Sequence, residues 1–364
     1  MASIEISATN LATRLAERTL ELIDIASESG RERDVTAHLL SVLRDGRVPA
    51  RDAGGSCVIA GASSRRELPF VLLAGHLDTV PEQSNWPGRI DGEHVVGLGA
   101  SDMKGGVAVM LELALSRASD SFDVAFDVGY LFFGREELPS SESALAPLLA
   151  REASLREADL AIVLEPTSNV VQAGCLGNLD ATWTFAGRAG HSARPWLAEN
   201  AIDRAVEGIR ALHAIEPLRS TVDRLEFTQV VSATTLHAGV ARNVIPGSAV
   251  ANVNFRYAPG TSAERAEQQL RDWCEPYGEL EIVSNSPGAL PPHANPMLDR
   301  LLDITGAAPE SKQAWTPVAE FAAAGIEAVN LGPGDPAFAH RADERVAAAA
   351  LARSYEILRS FACA

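Results

Sequence analysis

The chain has 364 residues, of which 46% are hydrophobic and 22% charged, with a formal net charge of −17. That length predicts two domains rather than one oversized core, and charge of that sign argues against nucleic acid or an anionic membrane surface as a partner. The four cysteines, Cys57, Cys175, Cys274 and Cys363, have no C-x-x-C spacing, the start lacks a basic-then-apolar leader, and no apolar run reaches transmembrane length; the expectation is a reduced, cytoplasmic chain.

In chain order, residues 11–43 carry a helical apolar pattern broken by SESG at 27–30. VIAG (58–61) is a short strand candidate, and FVLLAG (70–75) reads as a strand buried on both faces. Residues 105–118 form a glycine-opened helix. Strand (124–134), helix (144–152) and strand (159–166) follow. Alternation of this kind predicts an α/β domain around a mostly parallel sheet. Beyond Gly177 the texture changes to half-exposed alternation, with strand candidates at 177–187, 226–236, 244–257 and 280–285 and helices at 198–215 and 261–278. The order β-α-β-β-α-β resembles a small ferredoxin-like α+β insert. The α/β texture returns after Pro291, through AVNLGPG (328–334) to a last helix near 345–361. The expected organisation is a catalytic domain of residues 1–176 and 289–364, and an inserted dimerisation or lid domain of 177–288.

Chemistry concentrates at the strand ends. VLLAGHLDTVP (71–81) ends a buried strand in His76 and Asp78. Residues i and i+2 of a strand share a face, and α/β sheets place their sites at the carboxyl ends of parallel strands. A carboxylate there can hold one imidazole nitrogen and aim the other; a core histidine satisfied by a neighbour is the competing reading. GLGASDMKGG (97–106) sets Asp102 before a helix, as a ligand or a simple cap. It is neither a phosphate loop nor a dinucleotide fingerprint. FFGREEL (132–138) places Glu136 and Glu137 after an apolar strand, and DLAIVLEPTS (159–168) does the same with Glu165. AFAHRADE (337–344) carries His340. Asp78, Asp102, Glu136, Glu137 and Glu165 would repel one another without nearby positive charge. Imidazole and carboxylate donors together suit zinc, and this many acids suit two ions rather than one. Asp102 could bridge them, leaving Glu136 free to act as a base.

These motifs, in this order and over nearly the whole chain, resemble those of the di-zinc aminoacylase, acetylornithine deacetylase and carboxypeptidase G family. The resemblance implies a zinc-exopeptidase-like fold and metal-assisted amide hydrolysis. It implies two Zn²⁺ per subunit, with Co²⁺ or Mn²⁺ possible at the second position. His76 and Glu165 would hold one ion, Glu137 and His340 the other, and Asp102 both. Asp78 would orient His76 and Glu136 would be the general base. His191, in GHSARP (190–195), would stabilise the oxyanion from the partner subunit of a homodimer. Asn243 in RNVIP (242–246) and Arg256 in NFRY (254–257) would hold substrate carboxylates, with Arg194, Gly332 and Thr316 as further contacts and Gly334 shaping the same loop as Gly332. Trp196, Trp315 and Cys175 are expected to pack.

EPTSNVVQAGCLGN (165–178), GHSARPWLAENAID (190–203) and NLGPGDPAFAHRADE (330–344) direct the reading, within the family, toward release of succinate from an N-succinylated diaminopimelate. N-acetylornithine, another N-acyl amino acid or a dipeptide is the alternative substrate. Proline in TPVAEF (316–321) departs from a loop that the family usually makes more polar. A serine hydrolase would need a G-x-S-x-G elbow, and none is present. A noncatalytic homologue would be expected to lack a ligand or Glu136.

Overall fold

The computed structural model describes residues 2–62, 67–119 and 124–363, with side chains described from residue 11. The chain divides into two compact units. The first comprises Met1–Ala173, Pro291–Glu310 and Thr316–Ala364; the second comprises Gly174–Leu290 and Ser311–Trp315.

The first unit is built on a mixed sheet of eight strands. Its centre is parallel: Asp127–Phe133, Phe70–His76, Leu160–Val163 and Ala328–Asn330 lie side by side in that order. Antiparallel strands flank this centre, Val58–Gly61 on one side and Gln172–Cys175 on the other. The α/β reading holds. The central strands are apolar throughout because both faces are covered; every residue of Phe70–His76 is buried. Helix Gly105–Ser119 packs against this strand, its first ten residues all buried. Gly75 and Gly106 permit the close approach. A Cβ on Gly75 would sit 2.8 Å from Met103 Cε, and one on Gly106 would sit 2.6 Å from the Leu164 carbonyl.

One detail differs from the sequence reading, and one expected break is present. The last helix begins at Ala348, not 345, because Arg345–Ala347 is a strand pairing with His94–Val96. The 11–43 pattern resolves into helices Ala2–Ile23 and Arg33–Asp45 with the SESG turn between them.

The second unit has a five-stranded antiparallel sheet in the order Leu218–Val222, Leu225–Ala238, Ser248–Tyr257, Gly177–Ala186, Glu279–Ser286. Leu218–Val222 is a strand that the sequence pattern did not single out; most of it is exposed, so it lacks a buried stripe. Helices Ala201–His213 and Ala263–Cys274 join a core containing Trp183, Phe185, Phe255 and Leu270. The other strand residues, among them Asn178, Asp180, Asn252, Asn254 and Arg256, share a polar face.

Candidate metal centre

Parallel pairing brings the strand ends together. His76 lies opposite Phe133, so Glu136 and Glu137 begin one short turn away. Ala74 lies opposite Val163, which places Glu165 just past the end of the neighbouring strand. Asp102 follows Gly99, whose left-handed φ of 80° turns the chain into the long helix. His340 comes from the loop before Arg345–Ala347 and has a positive φ of 60°.

The side chains converge as well. His76 Nε2 is 3.0 Å from Asp102 Oδ1 and 3.9 Å from Glu165 Oε1. His340 Nε2 is 3.4 Å from Asp102 Oδ2 and 3.0 Å from Glu137 Oε1. Asp102 therefore turns one oxygen toward each histidine. Donor atoms of His76, Asp102 and Glu137 lie within 4.8 Å of one another, as do those of His76, Glu136 and Glu165. Ligand atoms about 2.0–2.1 Å from a single ion are roughly 3.3 Å apart in a tetrahedron. The separations bracket that value, so the donor set could hold a divalent cation without rebuilding the loops.

Electrostatics point the same way. His76 is fully buried. Burial disfavours its charge, but hydrogen bonds to Asp102 and Asp78 and the nearby Glu136 outweigh burial and hold the imidazole well above its usual range. For His340 the hydrogen bonds to Asp102 and Glu137 dominate and lift the imidazole to about 11. Burial tends to raise Asp102, yet both histidines together hold it below the usual carboxylate range. Glu136 is pushed well above its usual range, first by burial and then by Glu165. The cluster demands positive charge, which protonated imidazoles supply when no cation does.

Asp78 is buried and does more than face His76. Its Oδ1 is 3.5 Å from His76 Nδ1, which also lies 3.1 Å from the Asp78 carbonyl oxygen. The same carboxylate accepts from Ser29 Oγ at 2.7 Å and from the backbone N–H groups of Glu136 and Glu137 at 3.1 Å each. It thereby ties the imidazole, the SESG turn and the double-glutamate loop together. Burial raises its carboxyl, but His76, Ser29 and the Glu137 N–H bring it below its ordinary value.

The remaining first-unit residues named from the sequence lie around this centre differently. Thr316 is buried just before helix Val318–Ala323. Gly332 backs the Glu165 turn: it exchanges hydrogen bonds with Thr167 Oγ1, and a Cβ there would meet the Leu164 and Glu165 carbonyls at 2.2 and 2.5 Å. Gly334 backs the Asp102 turn, with Ser101 O 2.3 Å from where its Cβ would be. These glycines shape the turns that carry Glu165 and Asp102.

In the second unit, the Gly190–His191 and Val244–Ile245 strands pair, and Ser192 N–H donates to Asn243 O at 3.0 Å. His191, Arg194 and Asn243 thus share one exposed loop cluster. His191 Nδ1 accepts from Ala193 N–H at 3.1 Å, which leaves its proton on Nε2. Arg256 sits on the polar sheet face, its Nε donating to Asn254 Oδ1 at 2.9 Å. Trp196, expected to pack, is instead 74% exposed.

Three residues of the first unit were not singled out from sequence. Glu32, 1% exposed, accepts from Gly30 and Arg135 N–H and from Ser56 Oγ. Lys104 is buried, and its Nζ donates to the Leu22 and Ile25 carbonyls at the end of the first helix. Glu344 accepts three backbone N–H bonds from residues 99–102. None of these contacts follows from local spacing, because each partner is remote in sequence or belongs to the backbone.

Residues 72–364 match the profile of peptidase family M20/M25/M40. The chain belongs to this family. A Mycobacterium tuberculosis protein that carries the provisional name succinyl-diaminopimelate desuccinylase DapE is 36% identical, over 95% of this chain and 97% of that protein. Succinyl-diaminopimelate desuccinylase of Corynebacterium glutamicum is 34% identical, with 90% of each chain covered. Among solved structures, the Saccharomyces cerevisiae dipeptidase Dug1p superimposes with a TM-score of 0.76 at 15% identity, covering 99% of this chain and 97% of that one. That likeness is of fold. As a member of the M20 family the chain is a hydrolase acting on amide bonds.

Proposed function

We propose that this protein hydrolyses N-succinyl-LL-2,6-diaminopimelate to succinate and LL-2,6-diaminopimelate, in diaminopimelate and lysine biosynthesis. The observation that carries the reading is full-length similarity, at 34–36% identity, to proteins named for that reaction, in a chain where donor atoms of His76, Asp102, Glu136, Glu137 and Glu165 converge.

In this reading His76 and Glu165 would hold one zinc ion, Glu137 and His340 would hold the other, and Asp102 would serve both. Cobalt or manganese could replace zinc at the second position. When bound, the ions supply Lewis-acid polarisation of the scissile carbonyl and neutralise the acidic cluster. Glu136 takes the proton of the attacking water and returns it to the departing amine. Its burial and its acidic neighbours raise its proton affinity, as such a base requires. Asp78 fixes the His76 ring and the backbone that presents Glu136.

His191 is the proposed oxyanion donor, and its Nε2–H tautomer suits a donor. Asn243, Arg194 and Arg256 are proposed to hold substrate carboxylates, with Gly332 and Thr316 lining the site. We place His191 in the partner's site of a homodimer formed through the inserted domain, residues 177–288. Two features favour that interface. Strand Leu225–Ala238 pairs with Leu218–Val222 only as far as Gln229 and runs on beyond it. The second unit also exposes Trp196, Leu197 and Val240. The free cysteines accord with a reducing cytoplasm, and no described helix is long and apolar enough to cross a membrane.

The test compares N-succinyl-LL-2,6-diaminopimelate with N-acetylornithine as substrates of the zinc-loaded protein, with Glu136→Ala as control. Preference for the succinyl substrate, lost in Glu136→Ala by about 10²–10⁴-fold, is expected. Preference for the acetyl substrate would overturn the assignment of the acyl group.

A further inference from the structure

Glu344 stands four residues beyond His340 and is 1% exposed. Both of its carboxylate oxygens are engaged. Oε1 accepts from the N–H of Ser101 at 3.0 Å and of Asp102 at 2.9 Å; Oε2 accepts from Gly99 N–H at 2.9 Å. Its own backbone carbonyl accepts from Gly97 N–H at 3.0 Å. The rest of its segment is tied to the same stretch of chain. Gln83 Nε2 donates to His340 O at 2.9 Å, and Asn85 Nδ2 donates to Arg341 O at 3.1 Å. Leu98 N–H then donates to Asn85 O at 3.0 Å.

Asp102 and His340 are far apart in sequence, and the contact between Asp102 Oδ2 and His340 Nε2 depends on how these two loops meet. Glu344 spans that junction with three hydrogen bonds from backbone N–H groups. Hydrogen bonds from backbone N–H groups to a buried carboxylate are stronger than neutral ones, and they restrain the loop whose side chain must face both histidines. Both Glu344 oxygens are taken up by backbone N–H groups, which sets it apart from the carboxylates that face the histidines.

We propose that Glu344 is a positioning residue, which sets Asp102 against His340 in the arrangement the second cation needs, before that cation binds. The inference rests on the two-ion reading given above. Restraining the loop in advance lowers the ordering cost of binding. A glutamine at 344 keeps the shape but turns an N–H toward a backbone N–H, so the loop loses at least one anchor. Aspartate keeps the charge and falls one methylene short.

The experiment titrates metal-free wild type, Glu344→Gln and Glu344→Asp with Co²⁺, following the visible absorption of the bound ion. Amide hydrogen exchange at Gly99, Ser101 and Asp102 is measured in metal-free wild type. Expected are binding of one cobalt equivalent weakened by about 10–100-fold in Glu344→Gln, a smaller loss in Glu344→Asp, an altered absorption band, and a fall in kcat with KM little changed. The three amides should be protected without metal. A folded Glu344→Gln with wild-type cobalt affinity and spectrum would overturn the proposal. So would unprotected amides, which decide the matter even where the variants fail to fold. A wild-type protein that binds no cobalt would instead sink the two-ion reading, while the exchange data still judge the clamp.

Discussion

The carboxylates at the candidate centre and along its turns fall into two kinds, distinguished by what their oxygens face. Asp102, Glu137 and Glu165 face imidazoles, and Glu136 lies among other acids. Asp78, Glu32 and Glu344 accept backbone N–H groups of the turns that carry the first kind. Glu320, in helix Val318–Ala323, belongs to neither set. Burial raises its carboxyl to about 7, despite hydrogen bonds from Ser143 and Ala146 that pull the other way. A carboxyl raised on folding contributes stability that is fully present below its unfolded value of about 4.5 and is lost as pH climbs through about 7. Glutamine mimics the protonated acid at every pH. Glu320→Gln is therefore expected to unfold near the wild-type temperature at pH 4.5 and clearly above it at pH 8. The gain at pH 8 is on the order of 3 kcal/mol. Thermal melts of metal-free protein at both pH values check this, and a pH-independent difference would contradict the assigned cause.

Strand ends were legible because a buried strand that stops in His, Asp or Glu breaks its own apolar pattern. His76, Glu137, Glu165 and the Asp102 loop all carry that signal, and the structure brings them together. Strands Arg89–Asp91 and Leu218–Val222 carried no comparable signal, since they are short and largely exposed. Contacts of backbone with remote acids, such as Glu344 with residues 99–102, leave no periodicity at all. Nor do the glycines that let two turns touch. Gly332 is expected from the sequence to shape its loop, and a Cβ there would meet the carbonyls of Leu164 and Glu165 at 2.2 and 2.5 Å. Backbone atoms cannot swing aside as a side chain can, so Gly332→Ala must displace the Glu165 turn. The expected cost is about 1–3 kcal/mol of stability, with cobalt affinity reduced even in the folded fraction. Denaturant melts and metal titration of Gly332→Ala would register both effects; wild-type values in both would show that the turn absorbs a methyl group.

The two compact units have separate cores, and the converging imidazoles and carboxylates all belong to the first. The alternation of the α/β part and the half-exposed alternation of the insert were visible in the pattern of residues, because burial on two faces and on one face write different patterns. Periodicity marks none of His191, Arg194 and Asn243, which are exposed and unpatterned, so only the family resemblance singles them out. This distribution of donors has a thermodynamic consequence. A ligand stabilises only the cooperative unit that binds it, by about 2.7 kcal/mol at one hundred times its dissociation constant. Zinc should therefore raise the unfolding temperature of the first unit and leave that of the second unchanged. Scanning calorimetry of metal-free protein should show the two transitions close together, and zinc should draw them apart, with the Trp183 and Trp273 environments of the second unit melting in the unshifted transition. A single transition that moves as a whole with zinc would mean that the units unfold cooperatively, and that metal in the first stabilises the core of the second as well.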